Sequence, residues 1–325
     1  MEGATRGPSL IPHPSSFPVW PHRLALLTAI CTIPLLFIGG LVTSKGAGLA
    51  VPDWPTTFGY NPFLYPWSKM VGNIFFEHSH RLVASGVGFL TILLAVALWF
   101  REPQRWLGWL GAAALALVIV QGVIGGLRVV LLEQTLAIVH ACLAQAFFAL
   151  SVSLTLFTSR GWRDRPEKLE VADAGRLQRL GAATAGLIYA QVFFGAVLRH
   201  TGAMLDMHLL FAFLASVHVI LVGLGVFRRH RDRPALLRPA LLLNALLLVQ
   251  LGLGLGAYLG KFVMTLPATL TVLLRTGHVV VGALMLAVSL VVTLRSFGLL
   301  AQSGPAGQEI ATPVALGSGP GRASA

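Results

Sequence analysis

Apolar runs of about 20 residues, the length that crosses the hydrocarbon core of a bilayer as a helix, recur eight times along the chain. They lie near residues 24–43, 78–99, 106–127, 135–158, 177–198, 206–227, 235–259 and 272–296. This alternation of apolar run and short polar segment predicts an all-α, polytopic membrane protein with eight transmembrane helices. The polar stretch 160–176, which holds Pro166, falls near the middle and separates two sets of four runs. Five regions follow: a cytoplasmic N-terminal segment (1–23), an N-terminal four-helix bundle (24–159), a cytoplasmic linker (160–176), a C-terminal four-helix bundle (177–297) and a tail (298–325). The tail is rich in Gly, Ser, Ala and Pro, a composition expected to be disordered.

The two halves read as copies. The first run ends Gly39-Gly40-Leu41-Val42-Thr43 and the fifth ends Gly195-Ala196-Val197-Leu198-Arg199. Gln121 precedes Gly125 by four residues, Gln191 precedes Gly195, and Gln250 precedes Gly254. Small residues at such spacing let helices approach closely, and their joint recurrence predicts a duplicated, pseudosymmetric four-helix unit. Each half has an even number of spans, so both keep the same orientation and inverted repeats are excluded. The halves differ in one respect. The first outer loop, residues 44–76, is long and aromatic, with Pro52-Asp53-Trp54-Pro55 and a second cluster from Phe63 to Trp67, whereas its counterpart at 202–205 is minimal. A loop of that length commonly covers a pocket.

Composition supports the membrane reading, with 55% hydrophobic and 11% charged residues. The formal charge of +12 raises a nucleic-acid partner, but its distribution points to the lipid bilayer instead. Arg101, Arg105, Arg160, Arg163, Arg165, Arg176, Arg179, Arg228, Arg229, Arg233 and Arg295 all fall on one side if the N-terminus is inside. That bias predicts both termini in the cytoplasm. Cys31 and Cys142 lie within apolar runs, where they read as small core residues rather than an exported disulfide. Residues 1–22 make a poor transit peptide, and the first run reads as a retained helix.

Five histidines change the picture from membrane protein to metal-binding membrane protein. His80, His140, His208, His218 and His278 stand in or at the ends of apolar runs, where an ionisable group is costly and marks a functional site. His80 and His140 open the second and fourth runs; His208 and His278 occupy comparable places in the second half. Imidazoles opposed across a helix bundle suit axial ligation of haem iron. Each half offers two such ligands, fewer than zinc requires, and no Met or Cys cluster of the copper type accompanies them. His218 competes with His208 as the alternative ligand, about 15 Å deeper in the same helix. His200, beside Arg199, reads as an interface residue or a propionate contact. Glu77-His78-Ser79-His80-Arg81 is the sharpest local signal. On a helix Glu77 shares a face with His80 and Arg81, so its carboxylate can orient the imidazole or carry a proton, and Arg81 can pair with an anionic group of a ligand.

With these residues in view, the chain resembles the haem A synthase family over about residues 24–297. The resemblance rests on Glu77, His80 and Arg81 as a Glu-x-x-His-Arg motif, and on Gly46-Ala47-Gly48-Leu49 running into Pro52-Asp53-Trp54-Pro55. It also rests on Gly195 to Thr201 after the fifth run and on the four helix-borne histidines. It implies a bacterial plasma (inner) membrane and an oxidoreductase that converts haem O to haem A for terminal oxidase assembly, by successive hydroxylations of a methyl group with oxygen from water. His80 and His140 would hold the substrate haem O with Arg81 at its edge, Glu77 would be catalytic, and His208 and His278 would ligate a haem b cofactor. The chain departs from many members in having no cysteine in residues 44–76 and a truncated second-half loop in which Leu209 follows His208. A haem O synthase that hands over substrate and a homo-oligomer are compatible partners; the sequence carries no signal for the electron acceptor.

Two other classes share part of this pattern. A cytochrome b-like electron-transfer protein also needs paired helix histidines, but not Glu77 or the long loop. A transporter would use the histidines as a proton relay. A polyprenyltransferase would need aspartate-rich sites, and the apolar runs contain almost no Asp.

Overall fold

The computed structural model describes residues 19–303. Arg6, His13 and the tail beyond residue 303 lie outside the described residues. Eight helices of 25 to 32 residues are long and apolar enough to cross a membrane. They are α1 (Val19–Ser44), α2 (Gly72–Arg101), α3 (Arg105–Val130), α4 (Gln134–Thr158), then, after a short α5 (Arg160–Arg163), α6 (Ala174–Thr201), α7 (Leu205–Arg229), α8 (Pro234–Phe262) and α9 (Ala268–Leu299). Each span is a helix because lipid offers no partner for a main-chain N–H or C=O, and a helix satisfies both internally. The helices run a few residues beyond the apolar cores that sequence hydropathy marks. Buried hydroxyls turn back on their own helix for the same reason: Thr32 donates to the Thr28 carbonyl, Thr91 to Val87, Ser151 to Phe147 and Ser153 to Ala149.

Helix ends follow local chemistry. Gly202, with φ of 77°, closes α6 in the left-handed conformation that a glycine adopts without steric cost. Pro234 stands in the first turn of α8, where its missing N–H is no loss. Only residues 202–204 separate α6 from α7, while residues 45–71 separate α1 from α2.

The first four spans touch in a closed ring, α1 to α2, α2 to α3, α3 to α4 and α4 back to α1; α6, α7, α8 and α9 make a second ring in the same order. The first ring is filled by Ala25, Val87, Leu94, Leu98, Leu107, Ala114, Phe147 and Leu154. Ile188, Ala215, Val219, Leu243, Leu247, Met285 and Leu286 fill the second, with Ala149 of α4 joining them. The rings meet along α1, α4, α6 and α9, where Phe148 packs on Ala283 and Ala287. Large apolar side chains such as Phe89, Phe100, Phe213 and Leu248 point outward, as lipid-facing residues do.

The end opposite the long loop is tied together by polar contacts. β1 (Leu169–Val171) pairs in parallel with β2 (Leu300–Gln302), and the Gln302 side chain caps the pair by donating to the Ala172 carbonyl and accepting from the Gly175 N–H. Residues 298–302, which composition assigns to the tail, are therefore the last turn of α9 and a strand, because Leu300 buries completely against the Leu177 and Val226 cluster. Glu102 and Arg163 form a buried ion pair. Asp173 accepts from Arg229 and contacts His230.

A buried ion pair broken on one side leaves an uncompensated charge, at a cost of about 3–5 kcal/mol. Glu102→Leu should destabilise the detergent-solubilised protein by that amount in denaturant unfolding. Asp232→Ala, whose side chain is 73% exposed, should change stability by less than about 0.5 kcal/mol.

Candidate haem-binding sites

The four histidines that open or lie early in their helices share one local arrangement. His80 on α2 lies against Gly39 of α1, His140 on α4 against Gly125 of α3, His208 on α7 against Gly195 of α6, and His278 on α9 against Gly254 of α8. A Cβ at these glycines would stand 3.1, 2.9, 3.0 and 2.9 Å from the Cε1 atom of the respective ring. At Gly125 and Gly254 a Cβ would force the ring to shift, and at Gly39 and Gly195 it would crowd the ring, so glycine is what lets each imidazole come this close to the neighbouring helix. The residue four positions after each histidine is also small: Ala84, Ala144, Ala212 and Gly282. On a helix that residue shares the face of the histidine, so the space beside each ring on its own helix is also kept clear.

The histidines of each half lie near one another. His208 and His278 have ring centres 6.2 Å apart with planes at 67°, and His80 and His140 are within electrostatic reach of one another. Two imidazoles bound to one metal ion through bonds of about 2 Å each have ring centres about 6 Å apart, so the second pair fits a shared iron. In the second half the glutamine four residues before each seat glycine engages the same ring. The Gln191 amide nitrogen is 3.3 Å from His208 Nε2, and that of Gln250 is 3.3 Å from His278 Nε2. Each contact takes up the nitrogen that would carry a metal, so the amide has to swing aside before Nε2 can ligate one. Nδ1 of all four histidines is buried without a closed hydrogen bond, although the main chain of Gln121, Gln191 and Gln250 lies beside the corresponding ring. Leu35 takes the glutamine's place ahead of Gly39.

The long loop is fastened over the mouth of the first ring. Arg81 donates to the carbonyls of Asp53, Thr56 and Val51 and to Glu77 Oε1 at 2.9 Å. Glu77 Oε2 accepts from the Val51 N–H at 3.0 Å, so both carboxylate oxygens are held and the side chain is buried. Arg81, which sequence alone offers to a ligand anion, is taken up by the loop. His78 is 1% exposed; its Nδ1 is 3.1 Å from Thr57 Oγ1 and its ring packs on Tyr65. Trp54 lies over Gly126, where an added Cβ would come 2.2 Å from the indole. Asp53 organises the turn by accepting from the Phe58 and Gly59 N–H groups and the Thr56 hydroxyl. Partial burial works to raise its carboxyl, but these hydrogen bonds together outweigh it and hold the pKa down at about 2.

The structure thus brings His80 near His140 and His208 beside His278. His218 sits deeper on α7 with Nδ1 2.9 Å from the Leu214 carbonyl of its own helix. His200 lies within electrostatic reach of Arg128 and His140. Sequence reasoning took the glycines of the Gln-x-x-x-Gly pairs for helix packing and missed them as histidine seats. The signal that could have found them is the presence of a seat glycine in each helix that directly precedes a histidine-bearing one.

Eight apolar helices, four half-buried histidines seated on glycines and a long loop fastened over the first ring define a multi-pass membrane protein. A family model described as cytochrome oxidase assembly protein (COX15-CtaA) matches residues 22–207, and the chain belongs to that family. It is similar to the haem A synthase of Shouchella clausii (strain KSM-K16), 30% identical over 291 residues that cover 86% of this chain and 91% of that protein. It is also similar to the haem A synthases of Alkalihalophilus pseudofirmus (28% over 188 residues; 56% and 60% covered) and Halalkalibacterium halodurans (30% over 191 residues; 55% and 59% covered).

The clasp generates two expectations. Arg81→Ala removes four hydrogen bonds and leaves Glu77 without its cation, so residues 45–71 should become cleavable by limited proteolysis while the helices stay protected. A carboxyl with a depressed pKa stabilises its fold fully above its ordinary value of 3.8 and loses that contribution as the pH falls through the folded value. Loop protection should therefore be flat above about pH 4 and decline toward pH 2; Asp53→Asn should weaken protection at neutral pH and flatten this profile.

Proposed function

We propose that the chain is a haem A synthase of two pseudosymmetric four-helix bundles with both termini cytoplasmic, and that each bundle holds one haem near its outer end. The observation that carries this reading is the repeated seat: four half-buried imidazoles, each on a glycine of the preceding helix, with one pair at the 6.2 Å spacing that a bis-imidazole iron requires. His80 and His140 ligate the substrate haem O under the fastened loop. His208 and His278 ligate haem b, with His218 outside the pair. Haem b, when bound, supplies a one-electron carrier within reach of the substrate site.

The overall change is oxidation of a methyl group to a formyl group. One water provides the oxygen, and four protons and four electrons leave, in two successive hydroxylations followed by loss of water from the geminal diol. The electrons pass to an acceptor outside the chain. Glu77 stands one helical turn before His80 with both oxygens fixed by Arg81 and Val51. A carboxylate so held is a preorganised negative charge beside the pocket, suited to stabilising positive charge that builds on the substrate carbon. It accepts a proton only when one of those partners lets go. The first outer loop carries no cysteine, so no thiol takes part there. The loop keeps bulk solvent from the substrate edge through Trp54 and the Arg81 clasp, which limits attack to water admitted beside Glu77.

Co-expression with a haem O synthase, followed by extraction of the haems, tests the assignment. Haem A should accumulate with the wild-type chain. His80→Ala and His140→Ala should abolish it, and Glu77→Ala should stop it while leaving haem b bound. Unchanged haem A in the Glu77 variant would remove that carboxylate from the mechanism.

A further inference from the structure

Arg199, near the end of α6, and Arg275, on α9, are half-buried neighbours at the loop end of the second ring. Arg199 Nη1 donates to the main-chain carbonyl of Arg275 at 3.3 Å, and Nη2 donates to the Gly40 carbonyl and to Ser44 Oγ, both at 2.8 Å. All its partners are neutral. The Arg275 guanidinium makes no hydrogen bond or ion pair among the described residues. Every ion pair among those residues is formed elsewhere, by Glu77, Glu102, Asp173 and Asp232. Two positive charges side by side at the rim of an apolar bundle are costly without a counter-charge, so the pair is incomplete as the protein chain alone.

The position of the pair says where the missing anion belongs. Arg275 is three residues before His278, which puts both on one face of α9. Arg199 is four residues after Gly195, the seat of His208, and lies within electrostatic reach of His278. A flat ligand centred between His208 and His278 would therefore bring its edge past both guanidinium groups. A planar guanidinium binds a carboxylate through two parallel N–H donors.

We propose that Arg199 and Arg275 are the carboxylate anchor of the second pocket and pair with the propionates at the edge of the tetrapyrrole, an inference that rests on the assignment of haem b to His208 and His278. Arg275 supplies the selectivity, because its donors are uncommitted. Arg199 divides its donors between the ligand and Gly40 and Ser44 of α1, so the anchor also ties the second pocket to the helix that seats His80. The phosphate of a lipid headgroup shares this anionic chemistry, and the experiment separates the two sources.

The full-length protein, purified from haem-depleted cells, is titrated with haem b and with its dimethyl ester, in which both carboxylates are blocked. Wild-type protein should bind the free acid more tightly. Arg275→Leu should lose about tenfold to a hundredfold on the free acid, the range of a hydrogen bond to a charged group. It should lose nothing on the ester, and Arg275→Lys should recover part of the difference. Equal loss on both ligands, or no loss on either, overturns the proposal. So does unchanged discrimination in Arg275→Leu accompanied by loss of co-purifying anionic phospholipid, which gives the cations to a headgroup. Failure of the wild-type protein to bind either form overturns the haem b assignment itself and the anchor with it.

Discussion

An imidazole edge can press this closely on a neighbouring helix only where that helix carries little or no side chain, and this restriction organises the loop end of the molecule. Gly39, Gly125, Gly195 and Gly254 each receive one ring. The contact sets how closely α1 approaches α2, α3 approaches α4, α6 approaches α7 and α8 approaches α9. Within a bilayer, apolar surface gains little by leaving lipid for protein, so close approach at small residues is a principal source of helix association. Helix pairing and ligand placement are thus one interaction: the site cannot be moved without re-spacing the helices that hold it.

The two pockets differ in what surrounds this common seat. In the second ring both imidazoles have a glutamine amide 3.3 Å from Nε2, a partner that must move aside before that nitrogen can take a metal. In the first ring Leu35 replaces one glutamine, and a long loop is fastened overhead by Arg81, Asp53 and Trp54. On the proposed assignment the second ring, with almost no loop above it, takes the resident cofactor. A covered pocket, with a carboxylate fixed at its rim, suits a substrate that must be reacted and released. The bonds of Arg199 to Gly40 and Ser44 tie the second ring to α1 of the first.

Much of this was legible in the residue pattern. Eight spans followed from hydropathy because lipid enforces helices, and the candidate ligands followed because histidine is conspicuous in an apolar run. The Gln-x-x-x-Gly pairs were visible too, but their meaning was not: spacing along one helix does not say which side chain of the next helix will fill the gap. Arg81 was legible as a functional cation, yet its partners are carbonyls of residues 51–56, and main-chain acceptors leave no mark on sequence. The strand at Leu300–Gln302 was hidden for a similar reason. Its pairing with Leu169–Val171 joins segments 131 residues apart, and a three-residue strand in a polar context has no periodicity to read.

The account stands on two imidazole pairs with separate occupants. Low-temperature electron paramagnetic resonance of the purified protein, loaded with haem b alone, addresses this directly. One low-spin bis-imidazole signal is expected, which disappears in His208→Ala and in His278→Ala and survives in His80→Ala and in His140→Ala. A signal that persists without His208 and His278, or that depends on His80, would contradict it.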